Sequence, residues 1–191
     1  ERDRVYEDRG TCHKGLVAVL GSEGRGTTEG RRHVRGFGLA TNEFLETGGW
    51  PHQLYVREGR RMISGYVMTE RNGTGGRVAV DSIALASYQM DSHNTTRIVV
   101  DGKVSNEGQV YERLKHPVPL SYRAIVPRER ECKNLLVVFA VSASHLGIST
   151  LRMEPVLMIT GHSAATAACL AMQDAASFQT VTYSPPHPRF P

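Results

Sequence analysis

The chain has 191 residues, 40% of them apolar and 22% charged, with a net charge of +4. That is enough chain to bury the core of an ordinary globular domain, and too balanced a composition for a collagenous or wholly disordered protein. No run of about 18 apolar residues marks a membrane span and no apolar core marks an N-terminal export signal, so neither membrane nor secretion is expected.

Cys12, Cys132 and Cys169 are odd in number and widely scattered, which argues against a disulfide framework or a CxxC metal pair and favours a reducing, cytoplasmic setting. The sequence starts at Glu1 rather than Met, so a trimmed or partial product is expected.

Residues 1–41 read as a Gly/Arg-rich, flexible segment in which only "GLVAVL", Gly15 to Leu20, resembles a buried strand. Gly21, Gly24 and Gly26 follow it as GxxGxG, the reverse of the GxGxxG dinucleotide turn, and no amphipathic helix comes next. The arginines between Arg25 and Arg35 concentrate the positive charge. Phe37 is their sole aromatic companion, so no nucleic-acid partner is expected and an RNA tether remains the weaker alternative.

From Asn42 the texture becomes that of a folded domain. In "LYVREGRRMISGYVM", Tyr55, Gly59, Met62, Ile63, Tyr66 and Val67 share one helical face and the charged residues another, which predicts an amphipathic helix. "RNGTGGR" predicts a turn, Val78 to Met90 an extended stretch, and Asp101-Gly102 the turn of a hairpin. Leu135 to Val141 predicts a strand buried on both faces, as in a parallel sheet. A polar loop and then a small-residue helix after Arg152 follow. Ligands of open α/β sheets gather at strand ends and helix N-termini, so Ser142 to Glu154 is where a site is expected. In that helix Pro155 suits the first turn, and Gly161, Ala164, Ala165 and Ala168 form a smooth stripe for close packing. The tail, residues 177–191 ending in "YSPPHPRFP", is Pro-rich and is expected to leave the fold.

The stretches "GGWPHQLYVREGRRMISGYVMTE", "DSIALASYQMDSHN" and "SYRAIVPRERECKNLLVVFAVSASHLGISTLRMEPVLMITGHSAATAACLAM" resemble, in order, the C-terminal half of the FAD-dependent oxidoreductases often labelled xanthan lyase-like. The resemblance covers Asn42 to Ala176. It implies FAD as cofactor, held in an incomplete glutathione-reductase-like, Rossmann-type α/β domain with an associated β-rich substrate region, the family's N-terminal GxGxxG being absent here. It implies cofactor contacts at Ser144, Arg152, Met153, Glu154 and Val156, the helix amides facing the flavin edge where negative charge develops. Ala84 and Ala86 stand where relatives tend to carry glycine, and Ile148 where an aromatic is frequent.

A flavin dehydrogenation needs a base near the substrate, and His93 in "MDSHN" and His145 in "SASH" are the candidates, with Asp91 or Asn94 to orient an imidazole. Each could instead only tie down a loop. His93, His145 and His162 lack metal-ligand spacing, and no cysteine set suits an iron–sulfur cluster, so no metal is expected. Tyr122 and Arg123 are candidate substrate or flavin contacts or a structural pair, and Ser142 and Ser144 lack a GxSxG elbow. The expected function is hydride transfer between a small-molecule or carbohydrate-like substrate and flavin N5, in a chain that could oligomerise. The alternative is a catalytically silent flavoprotein fragment serving as an interaction module.

Overall fold

The computed structural model describes residues 1–22, 26–53 and 58–181. The chain divides into two compact units, Glu1–Val56 and Arg57–Pro191.

The first unit is helical. Helix α1, Arg2–Ser22, runs through the residues expected to form a strand, so "GLVAVL" is its last turns rather than β structure. A six-residue apolar run has no decisive period of its own. Here it extends a helix begun by charged residues, among them the i, i+4 pair Arg4 and Asp8, and adding residues to an existing helix is far easier than nucleating a strand pair. Helix α2, Thr28–Arg35, starts at Thr27, whose hydroxyl accepts the Gly30 amide at 3.1 Å. Arg35 returns to α1 by donating to the Gly21 carbonyl at 2.6 Å. Lys14 lies over the Trp50 ring at 4.8 Å, which makes Trp50 a packing anchor. Gly24, the centre of the GxxGxG pattern, lies outside the described residues.

The second unit mixes helices and strands. Its strands are β1 Ser82–Ala86, β2 Met90–Ser92, β3 Thr96–Val100, β4 Lys103–Glu107, β5 Val110–Glu112 and β6 Val118–Ser121. Among the described residues they form three two-stranded antiparallel sheets, β1 with β6, β2 with β5 and β3 with β4. The expected hairpin is there: Val100 pairs Lys103 across a two-residue turn, with φ of 52° at Asp101 and 73° at Gly102. Positive φ at both central positions is the type I′ geometry that Asp-Gly favours.

Two expectations are corrected. Residues 58–68 are extended rather than helical; Tyr55 lies outside the described residues. Ser64, Tyr66 and Met68 are buried while Ile63 and Gly65 are exposed, a period of two. The backbone is claimed by a distant segment: Met62 N donates to Ala140 O at 2.9 Å, Met68 N to Ser142 O at 2.9 Å, and Ser144 N to Met68 O at 2.8 Å. These bonds overrode a helical pattern that was equally readable from the letters. Second, Leu135 to Val141 belongs to no ladder. It forms no strand and bends at residues 138–140, bonded to Ile125 O through Val137 N at 2.8 Å and to Met62 N through Ala140 O. No crossover helix covers its second face among the described residues, so Leu135 and Phe139 stay 47% and 57% exposed.

Short helix α3, Glu70–Gly73, follows, and then α4, His145–Leu151, and α5, Glu154–Gln173, close the unit. Helix α4 lies against residues 68–69 because residue 147 is glycine: a Cβ there would overlap the Met68 carbonyl. Helix α5 buries Val156, Thr160, Ser163, Ala164, Ala167 and Ala171. Of the expected stripe, Ala164 is in this face, Gly161 and Ala168 are half-buried and Ala165 is exposed. What comes close is β1, whose Ile83 carbonyl accepts the Ser163 hydroxyl at 2.8 Å. By length and mean hydropathy, 1.3, α5 would also reach across a bilayer, with a third of its most apolar stretch buried here. The core behind it is Met68, Val118, Leu120, Ile125, Val141 and Leu151, each no more than 1% exposed. Ala84, Ala86 and Ile148 are buried with them. The tail from Thr182 onward lies outside the described residues.

Candidate functional site

Strand β2 gathers the site. Its short ladder with β5 pairs Asp91 with Tyr111 and Ser92 with Val110, and successive strand residues face opposite ways. Asp91 and Ser92 therefore serve two different clusters.

The Ser92 cluster contains His145. Ser92 Oγ lies 2.6 Å from His145 Nε2, and Glu58 Oε2 lies 2.7 Å from His145 Nδ1. His145 is the first residue of α4, whose start is fixed by Ser144 accepting the Gly147 amide at 3.1 Å. Glu58 also has the Arg61 guanidinium at 3.6 Å, and Arg61 Nε donates to the Ala143 carbonyl at 3.0 Å, next to the start of α4. A carboxylate, an imidazole and a hydroxyl in line are an arrangement that can hold or pass a proton. Ser92 is 1% exposed, too enclosed to attack an external acyl group.

The Asp91 cluster contains His93 and Arg152. Arg152, its side chain 6% exposed, donates through Nη2 to the Asp91 carbonyl at 2.9 Å and stands 3.7 Å from the carboxylate. His93 Nε2 is 3.6 Å from Asp91 Oδ2, too long for a hydrogen bond but within ion-pair range, and Tyr88 donates to the same oxygen at 3.4 Å. His93 is 55% exposed in its side chain and opens on a cavity of about 470 Å³ lined by Asn94, Thr95, Thr96, Arg97 and Asn106. Every wall residue there carries a hydrogen-bonding side chain.

The structure thus brings His93, His145 and Arg152 around one strand, with Ser144 at the neighbouring helix start. Asp91 is the expected orienting residue, though at long range, and Asn94 lines the cavity instead. Glu58 and Ser92 went unread in the sequence. Glu58 sat among charges assigned to a solvated helix face, and nothing in a single serine beside His93 signals a partner 53 residues away.

Met153, Glu154 and Val156 lie at the start of α5. Met153 offers no side-chain cap and Pro155 has no N–H, which leaves the Glu154 and Val156 amides as uncapped donors. The Val156 side chain itself is buried in the core.

A separate cavity of about 580 Å³ is lined by Asp81, Tyr122, Arg123, Arg128, Phe178 and Gln179, among others. The Asp81 carboxylate accepts Arg123 Nε at 2.9 Å, Arg123 Nη2 at 3.2 Å and the Ser121 hydroxyl at 2.8 Å. Burial raises the pKa of Asp81, but the hydrogen bonds from Arg123 and Ser121 outweigh it and hold the carboxyl below its ordinary range. Arg123, paired with Asp81, and Arg77, which donates to the Val67 carbonyl, both place their guanidinium carbons over the Tyr66 ring, at 4.9 and 3.8 Å. Burial pushes the Tyr122 phenol up to about 12, so it remains a neutral donor to the Phe178 carbonyl at 3.0 Å. Arg123 is therefore a structural pair that also lines a cavity.

The second unit is thus a mixed helix and strand domain with two histidines and a buried arginine around one strand. A model of the family "FAD dependent oxidoreductase" matches residues 6–186, and the chain belongs to that family. The match reaches well into the N-terminal helices, beyond the stretch on which the sequence resemblance rests. No curated protein and no solved structure matches the chain. Its cofactor, as a member of this family, is FAD. The uncapped amides of α5 fit the electron-rich edge of a flavin. Arg152 fits less well as a free charge, because Asp91 neutralises it and the Asp91 and Ser149 carbonyls take its donors.

Proposed function

We propose that the chain is a flavin oxidoreductase that moves a hydride between a small organic substrate and flavin N5, with residues from β2 and the segment after it, the start of α4 and the start of α5. The family match over residues 6–186 carries this reading. FAD, when bound, supplies the hydride acceptor. The Glu154 and Val156 amides would face the flavin and offset negative charge on it, with Met153 beside them, and Ser144 caps the preceding helix. Arg152 ties Asp91, and with it β2, to the end of α4.

His93 takes the proton that the substrate releases as its hydride leaves, since it is exposed beside a cavity. The hydroxyl, amide and guanidinium groups of that cavity match a polar, carbohydrate-like molecule better than an apolar one. His145 is the second candidate base, with both ring nitrogens already engaged by Glu58 and Ser92. A glutathione-reductase-like cofactor domain is the family-based expectation for how the dinucleotide is held.

One observation favours a second reading. Among the described residues every sheet is a two-stranded antiparallel pair and parallel pairing is limited to an isolated Met68–Ala143 bridge, whereas a Rossmann cofactor fold needs parallel strands with crossover helices. An interaction module derived from a flavoprotein accounts for that directly.

Titration of the purified chain with FAD separates the two, read by flavin absorbance after gel filtration with circular dichroism as the folding control. Stoichiometric retention is the expected result. A folded chain that retains no flavin would rule out the oxidoreductase reading for this chain and leave the interaction module.

A further inference from the structure

Glu58, His145 and Ser92 come from three separate parts of the second unit: the extended segment before α3, the first residue of α4, and the end of β2. Each nitrogen of His145 has a close polar neighbour: Glu58 Oε2 stands 2.7 Å from Nδ1 as an ion-pair contact, and Ser92 Oγ lies 2.6 Å from Nε2 in hydrogen-bond geometry. We infer that Glu58 and Ser92 are positioning residues that make His145 a reversible proton holder, with Glu58 fixing the tautomer and the Ser92 hydroxyl capping and uncapping Nε2.

The chemistry of the partners dictates the assignment. An ionised carboxylate can only accept hydrogen bonds, so the nitrogen facing Glu58 must carry hydrogen. In the neutral imidazole the other nitrogen, Nε2, then holds the lone pair, and Ser92 must donate to it. When Nε2 gains a proton it becomes a donor, and Ser92 Oγ must accept. The displaced hydroxyl hydrogen has a second acceptor in reach, the His93 carbonyl, 3.3 Å from Ser92 Oγ. One rotation about the Ser92 side chain therefore satisfies both protonation states without moving the backbone.

The proton balance is simple. A new N–H bond forms at Nε2 as an O–H bond of hydronium from solvent breaks and leaves water, and Glu58 keeps its charge opposite the imidazolium. The charged groups beside His145 are Glu58 and Arg61 from the extended segment, while Asp91 of β2, His93 just after it and Arg152 at the end of α4 form the separate cluster on the other face of the strand. The His145 side chain is 44% exposed, so solvent reaches the ring while Ser92, 1% exposed, stays inside. Ser92 acts here as a gate on the base rather than as a nucleophile.

The test needs neither flavin nor substrate. Nitrogen-15 spectra of histidine-labelled full-length chain report which ring nitrogen carries hydrogen, and the expected form of neutral His145 is the Nδ1–H tautomer, opposite to the one free histidine prefers. Neutral His145 found as the Nε2–H tautomer would overturn the inference without any variant being made. In Glu58→Met the acceptor is gone, and the Nε2–H form should take over; retention of Nδ1–H would remove Glu58 from its role. Acylation by diethyl pyrocarbonate, mapped by mass spectrometry, reads the gate, because the reagent needs the free lone pair. Ser92→Ala should speed modification of His145 by about three- to tenfold, the span of one ordinary hydrogen bond. An unchanged rate in folded Ser92→Ala would show that the hydroxyl caps nothing.

Discussion

Two aspartate–arginine pairs in the second unit solve opposite problems. At Asp81 and Arg123 the geometry is good and the burial poor: two guanidinium nitrogens reach the carboxylate at 2.9 and 3.2 Å, yet the arginine side chain is 54% exposed. At Asp91 and Arg152 the burial is deep and the ion-pair geometry poor, with the arginine 6% exposed and 3.7 Å from the carboxylate. Arg152 spends its best hydrogen bond on a backbone carbonyl. Solvent screens the first pair, so its Coulombic worth is small. The second has already lost its hydration and depends on its partners, so breaking it leaves a buried charge uncompensated. A loosely held buried pair can thus matter more to stability than a well-aligned exposed one, and its carboxylate keeps capacity for His93 and Tyr88.

The largest effect is expected at the buried pair. Arg152→Met should cost about 3–5 kcal/mol, because Asp91 loses its counter-charge and β2 its tie to α4. Urea unfolding measures this; a loss below about 1 kcal/mol would mean that Arg152 behaves like a surface arginine and would erase the contrast.

Asp81→Asn comes next, at about 1–3 kcal/mol at neutral pH, since a charged acceptor of several hydrogen bonds is replaced by a neutral one. The pH dependence sharpens it. The folded-state pKa of Asp81 lies below its unfolded value, so its contribution is complete above the ordinary carboxylate range, about 4, and is lost as pH falls through the folded value. Denaturation midpoints of wild type and Asp81→Asn should therefore converge in acid, and a gap that persists undiminished at the lowest pH would assign the cost to packing instead.

Arg123→Met is the smallest, about 0.2–1 kcal/mol, because the charge is screened and the aliphatic stem can still cover Tyr66. A thermal melt in low and high salt reads it. The gap between variant and wild type should narrow with salt, and an equal gap in both would point to the stacking on Tyr66 as the main contribution.

Parts of this protein were legible from its residues alone. The Asp101-Gly102 turn was readable because two positive φ values at a hairpin tip leave few residue choices. The α5 helix was readable because its first-turn proline and long run of helix-tolerant residues agree with each other. The FAD family could be recognised from ordered stretches of sequence. The failures share a cause. Residues 58–68 carry apolar positions that satisfy a period of 3.6 and a period of 2 at once, and only the backbone of residues 140–144 chose between them. "GLVAVL" was too short to have a period, and the helix before it decided its state.

The sequence by itself determined local chemistry: which residues can turn, cap, pack closely or carry a proton. Tertiary structure alone decided which of them meet. Glu58, Ser92 and His145 are 34 and 53 residues apart along the chain, and no periodicity links such separations. Their contact exists because α4 lies close on residues 68–69 at Gly147 and because β2 packs beside it, so the roles of Glu58 and Ser92 follow from packing rather than from any local pattern.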